Sequence, residues 1–377
     1  MDCKERMFIL FLVFMSMARN DGVPLPKVIS LILMVCGVMC WVYVMMSTTF
    51  TKRERVCQFI LLALAAISVG MNRHLGTLLA CMVIVSMKDV DLKKALWAIL
   101  YIQIITIVIN DGIFIAGIIA GDGIRGYYQQ RNVMGVLSIE EQYRVYFGTL
   151  HPNGTQKLIC LISVLLLYLR YDHLKASHII ILTLLNILFY FLTFSNTGLL
   201  LWFLSAFVIY WVKAHVRWID WIGKAGPFIF CALVGVVLYG SFHYSEQSVV
   251  AVLNRWITGR FLCAYQHIAA TGLSAWGKEM NPIMSGVDLD CAYINILLFY
   301  GYIVFSGYCI GCFGLLVTLK RQGRYLDIII LLILHCFFVI ESFIMVIYMN
   351  WTFLYMGRFL YEGLDYIKKR NQPVISA

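Results

Sequence analysis

The sequence predicts an all-α integral membrane protein with about 12 transmembrane helices and two long extracytoplasmic loops. Three observations carry this prediction. Apolar residues make up 61% of the 377 residues and charged residues only 13%. Apolar runs approaching the roughly 17–25 residues that cross a bilayer follow one another along the chain. The loops between them are sorted by charge, with an excess that matches the whole net charge of +10 on one set of alternating connections.

The apolar runs are 7–18, 28–47, 57–70, 77–87, 95–120, 157–169, 178–193, 198–212, 226–241, 292–319, 328–343 and 345–361. Several are short, so merging neighbours would lower the count by one or two. The first run follows Lys4 and Arg6, with no small-x-small cleavage site after it, and is read as a retained helix. Asn110-Asp111-Gly112, within the fifth run, reads as a helix break. No repeat or low-complexity linker divides the chain, so residues 1–377 are read as a single polytopic membrane domain.

Connections in compact domains are usually about 4–6 residues. Two here are far longer, at approximately 122–156 and 241–291. The first is aromatic and polar and ends in the turn-rich His151-Pro152-Asn153-Gly154. The second places Val249, Val252, Leu253 and Trp256, then Phe261, Ala264, Tyr265 and Ile268, at helical spacing. That pattern predicts a helical hairpin or an amphipathic helix on the membrane face.

Basic loops stay in the cytoplasm. The charge sorting therefore predicts that both termini are cytoplasmic and both long loops extracytoplasmic. It also explains the positive charge without a nucleic-acid partner.

The candidate site residues lie in or beside these loops. Arg144 and Arg260 each precede or follow a glycine (Gly148 and Gly259) that lets a ligand approach the backbone. A guanidinium offers a rigid fork of donors to phosphate oxygens, so such arginines, with Arg255 beside them, are candidates to anchor a diphosphate. The competing reading is that they snorkel to lipid headgroups. His151 is a candidate proton acceptor or a turn residue. Asp290, two residues after Asp288, either accepts a proton or caps the following helix. Glu341 sits inside an apolar run, where a carboxylate costs roughly 2.5–3.5 kcal/mol at mid-bilayer and is functional by default, whether alone or paired with a loop arginine. The 12 cysteines are mostly scattered through apolar runs, and Cys263 and Cys291 are near enough in the loop to leave pairing open. No ligand cluster suggests a metal, and no motif suggests a cofactor.

Four groups of residues resemble those of the Wzy-type bacterial polysaccharide polymerases of capsule and exopolysaccharide clusters. They are Arg144-x-x-Phe147-Gly148 with His151-Pro152-Asn153, Leu253-Asn254-Arg255 with Thr258-Gly259-Arg260, Asp290-x-x-Tyr293 leading to Tyr300-Gly301, and Glu341 followed by Asn350. The chain departs from the family at Ser195-Asn196-Thr197, where an arginine is frequent, and at Cys291, where an asparagine often stands.

The resemblance implies a metal-independent, inverting glycosyltransferase in the bacterial cytoplasmic membrane. It would join oligosaccharide repeat units carried on undecaprenyl diphosphate, with the lipid diphosphate as leaving group. His151, Asp290 and Glu341 would be catalytic, and Arg144, Asn153, Arg255, Arg260 and Tyr293 would bind substrate. The implied partners are lipid-linked oligosaccharides, membrane lipid, a flippase and a chain-length regulator. A glycan ligase of the same fold class and a polysaccharide flippase are the alternatives.

Overall fold

The computed structural model describes residues 2–19, 25–121, 126–132, 139–145, 149, 151–247, 249–257, 259–279 and 289–370. They are almost wholly helical. In order the helices are α1 (Cys3–Ala18), α2 (Lys27–Ser47), α3 (Lys52–Asn72), α4 (Gly76–Ser86) and α5 (Leu92–Ile119). A two-stranded antiparallel ribbon follows, β1 (Gly126–Asn132) and β2 (Ile139–Val145). Then come α6 (Pro152–Leu169), α7 (Ala176–Thr193), α8 (Asn196–Ala214), α9 (Val216–Phe242), α10 (Val249–Trp256) and α11 (Arg260–Thr271). The last helices are α12 (Ala292–Asn295), α13 (Gly301–Arg321), α14 (Tyr325–Ile340) and α15 (Thr352–Arg370), with a π turn, Ile296–Tyr300, joining α12 to α13.

Each of the predicted apolar runs contains a helix, but fewer are full spans. Among the described residues, eight helices are long and apolar enough to cross a membrane, which makes this a multi-pass membrane protein by length and composition. The count falls from about twelve to eight because α15 carries six charged residues in 19 and because α1, α4 and α14 have only 16, 11 and 16 residues. At 1.5 Å per residue these three short helices reach only about 17–24 Å, short of the roughly 30 Å hydrocarbon core. The break expected at Asn110-Asp111-Gly112 does not occur, and α5 runs straight through it. In an apolar setting the unbroken backbone ladder outweighs local turn chemistry, because freed amide groups would have no water to bind.

The chain forms two compact units. One comprises Val13–Gly37 and Leu96–Ala214. Its centre is α6, which packs against α7 and α8 and is mostly buried. A polar thread runs through that centre. The Asn186 amide donates to Ser163 Oγ at 3.0 Å and to the Leu182 carbonyl at 2.9 Å, while the Gln156 amide donates to the Asn186 carbonyl at 3.3 Å. Such bonds fix helix register where apolar contacts alone do not discriminate.

The other unit comprises Met1–Leu12, Val38–Ala95 and His215–Ala377. Here α9 lies along α14, and α4 packs between α3 and α15. Residues 341–351 are not helical, yet Phe343, Ile344, Ile347, Tyr348, Met349, Asn350 and Trp351 are all buried. Asn350 stitches this segment together. Its amide donates to the Ile344 carbonyl at 2.7 Å, and its Oδ1 accepts from the Thr352 N–H at 3.0 Å. The π turn is satisfied in a similar way. Lys278 N–H donates to the Leu298 carbonyl at 3.0 Å, and the Tyr302 and Ile303 N–H groups donate to Ser274 and Ala275. Irregular backbone survives at membrane depth only when protein supplies such partners.

The α9–α14 contact depends on a missing side chain. A Cβ on Gly226 would lie 2.3 Å from Ile328 Cγ2. Gly226→Val is therefore expected to cost about 1–3 kcal/mol through overpacking. The measurement is thermal unfolding in detergent, and Ile328→Ala in the same chain should recover part of the loss.

Candidate functional site

The candidate residues fall into two groups, one in each unit. The first is built where β2 meets the start of α6 and the end of α7. Arg144, on β2 opposite Tyr127, is fully buried. Its Nε donates to the Thr193 carbonyl at 2.8 Å, and Nη2 donates to Asn153 Oδ1 at 2.6 Å. Thr193 ends α7 and Asn153 stands in the first turn of α6, so one guanidinium ties two helix ends together. A cation is favoured at the helix C-terminus, where carbonyls lack intrahelical partners.

His151 is the N-cap of α6, with Nδ1 accepting from the Asn153 N–H at 3.1 Å. Pro152 fills the first helical position, where no N–H is needed. Thr149 Oγ1 donates to the His151 carbonyl at 2.8 Å and lies 3.2 Å from Thr155 Oγ1. In this structure His151 thus does the work of a capping residue, and Asn153 holds Arg144.

The second group lies where α11 begins and α14 ends. Gly259 adopts a φ of +88°, the left-handed region that glycine tolerates, and turns the chain from α10 into α11. Asn254 reaches across that turn. Its Oδ1 accepts from the Phe261 and Leu262 N–H groups at 2.9 and 3.2 Å, capping α11 from a distance of several residues. Arg260 is then the first residue of α11, an unfavourable end for a cation. Its Nη2 is compensated by Asp290 Oδ2 at 2.9 Å, and its Nε donates to the Ile340 carbonyl at 3.3 Å. The side chains are 11% and 30% exposed, so this pair, unlike Arg144, keeps contact with the surface.

Asp290 does not cap α12. That position belongs to Cys291, whose side chain makes no cap bond. Glu341, the residue after Ile340, is the buried C-cap of α14 in extended backbone. Arg260, Asp290 and the Ile340–Glu341 corner therefore converge. Arg255 is exposed on α10 and outside this group. Tyr293 is fully buried, with its hydroxyl 2.8 Å from His335 Nδ1 inside a cage that includes Phe338. Cys263 and Cys291 are not joined by a disulfide. Phe147, Gly148, Thr258 and Asp288 lie outside the described residues.

Among the described residues no group of three or more His, Cys, Asp or Glu side chains is placed to hold a metal ion. Comparisons with protein-family models, curated proteins and solved structures found no match to this chain. What the fold defines is the class, a multi-pass helical membrane protein.

Sequence reasoning missed Asn254 as the remote cap and Thr193 and Ile340 as carbonyl partners. A signal existed only for Asn254, an Asn five residues ahead of a glycine that precedes a helical pattern. Backbone carbonyls carry no sequence signal.

Two outcomes are expected. In a double-mutant cycle, Arg260→Ala and Asp290→Ala should couple by about 0.5–3 kcal/mol, measured by thermal unfolding. Burial pushes the Cys291 thiol up to about 11, so the fold favours its neutral form. That stabilisation holds below the unfolded thiol's pKa and is lost as pH rises through about 11. In a variant keeping Cys291 as its one cysteine, iodoacetamide labelling at about pH 8 should be slow and should speed up on unfolding.

Proposed function

We propose that this chain is a polysaccharide polymerase, a glycosyltransferase that joins oligosaccharide repeat units carried on undecaprenyl diphosphate at the outer face of the bacterial cytoplasmic membrane. The observation that supports this most is the Arg260–Asp290 pair, 2.9 Å apart, partly exposed, and set beside the Glu341 corner. A guanidinium and a carboxylate in one place are the two groups such a transfer needs.

The proposed step has a simple balance. The acceptor hydroxyl oxygen bonds to the donor's anomeric carbon, from the face opposite the leaving group. The bond from that carbon to the diphosphate oxygen breaks, and the electron pair goes to the lipid diphosphate. Arg260 exchanges its carboxylate for diphosphate oxygens, where negative charge develops. Asp290, released from its cation, takes the acceptor's proton. Glu341, next to the Arg260 contact on α14, holds the cation when Asp290 is protonated. Arg144, with Asn153 and His151, is assigned a positioning role, because its guanidinium already ties α6 to α7. Arg255 on the exposed face of α10 meets lipid-linked substrate or headgroups, and buried Tyr293 supports the helix that presents Asp290. The long loops face outward under the charge sorting described above, where a lipid-borne donor is available and a nucleotide sugar is not. A flippase supplying the repeat units and a chain-length regulator are the partners this role requires.

A second reading, transport of the lipid-linked unit, is favoured by the interrupted helices at the π turn and at residues 341–351. Broken helices near a binding site are common in transporters.

Purified protein given lipid-linked repeat units should make polymer, and Arg260→Ala should lower the rate by about 10²–10³-fold. Asp290→Asn should do so comparably. Polymer formed at the full rate by both variants sinks the assignment. Movement of the unit between leaflets of vesicles without new glycosidic bonds would establish the transport reading instead.

A further inference from the structure

The end of α6 and the start of α7 enclose a feature that the proposed reaction does not use. The two helices are joined by residues 170–175, at the opposite end of α6 from Arg144. Between them lies a cavity of about 350 Å³. That volume falls within the roughly 300–1,000 Å³ of small-ligand sites. Its walls include Leu166, Leu167, Ile181 and Leu182, and its rim carries Arg170, His173 and His178.

The order of these residues is set by the helices. Arg170 follows the last turn of α6, and Leu166 and Leu167 lie three to four residues before it. His178 is in the first turn of α7, and Ile181 and Leu182 lie three to four residues beyond. One helical turn, about 5.4 Å, therefore separates a basic rim from an apolar wall on both sides of the cleft. Since α6 and α7 are both long and apolar enough to span, a bilayer crossed by both would have the rim at its surface and the wall just inside its hydrocarbon.

The rim groups are arranged as donors. The Arg170 guanidinium lies over the Trp97 ring at 5.4 Å. A guanidinium carries five N–H donors in its plane, which serve an anionic oxygen well. His178 Nδ1 accepts from the Lys175 N–H at 3.1 Å, so the neutral ring carries its proton on Nε2 as a donor. Lys213 is anchored on the same loop through the Tyr171 and Asp172 carbonyls, adding a second fixed cation. Asp172 is the one carboxylate in the loop.

We propose that this cleft binds one anionic phospholipid, with its phosphate on Arg170 and the two imidazoles and the first part of an acyl chain along the leucine and isoleucine wall. Basic pockets between spanning helices hold anionic headgroups by this combination. A free anion gains nothing from the wall, and a zwitterionic lipid offers the rim no net charge. The inference is independent of the glycosyltransferase reading.

Native mass spectrometry of the full chain in detergent tests it, with dioleoyl phosphatidylglycerol, dioleoyl phosphatidylcholine and inorganic phosphate as probes. The wild type should retain one phosphatidylglycerol with at least about tenfold preference over phosphatidylcholine, and inorganic phosphate should not displace it. Arg170→Gln and His178→Gln should each remove most of that preference. Ile181→Trp, which fills the wall and leaves the rim intact, should weaken phosphatidylglycerol binding by a similar factor. His178 and Ile181 are exposed, so those variants keep the test decisive even if Arg170→Gln fails to fold. Equal retention of the two lipids, displacement by inorganic phosphate, or undiminished binding in Ile181→Trp would overturn the proposal.

Discussion

An arginine donating to the last carbonyl of a distant helix is the interaction on which the ordered part of each long connection depends. Arg144 Nε does so for Thr193 at the end of α7, and Arg260 Nε does so for Ile340 at the end of α14. The last four carbonyls of any helix lack partners, and near a bilayer water is a poor substitute. A guanidinium supplies both a donor and a charge of the right sign for the helix dipole, worth up to about 2 kcal/mol in partly buried settings. Each arginine also engages a second element, Asn153 of α6 in one case and Asp290 before α12 in the other. The loops are thereby pinned to helix ends rather than left as spacers.

The two ties differ in what they leave over. Arg144 is fully buried, and removing its partners would strand a charge whose exposure to apolar surroundings costs several kcal/mol. It is spent on structure. Arg260 retains 11% and Asp290 30% of side-chain exposure. A partly exposed pair sits between the surface limit of about 0–1 kcal/mol and the much larger buried limit. An ion pair in that range is strong enough to hold a resting geometry and weak enough to be exchanged for a competing phosphate. That difference is why the chemistry is assigned to Arg260 and the positioning to Arg144.

Much of the fold was legible because its dominant signal is compositional. Every apolar run contains a helix, since a chain in lipid has few other ways to satisfy its backbone. What was not legible depended on partners distant in sequence. The irregular backbone at the π turn and at residues 341–351 is satisfied by Lys278, Tyr302, Ile303 and Asn350, bonds with no local pattern. The ribbon β1–β2 was hidden in a loop read as merely aromatic and polar. In the site, arginine type and loop placement pointed to Arg144 and Arg260. Their different burial was invisible, because it is decided by which helix end each one reaches.

Glu341 shows how the remaining pieces fit. A carboxylate in an apolar run costs energy whatever its role, so something near it must offset that cost. The helix stops one residue earlier, and Arg260 docks on that last carbonyl. The cation thus sits between a partly exposed aspartate and the carbonyl that precedes the buried Glu341. Withdrawing Asp290 from the cation leaves its Nε bond to the Ile340 carbonyl in place, so the guanidinium stays anchored through the exchange. Had the helix continued a full turn, to Ile344, the Ile340 carbonyl would be internally bonded, and Arg260 would have lost the anchor that holds it at the α11 N-terminus.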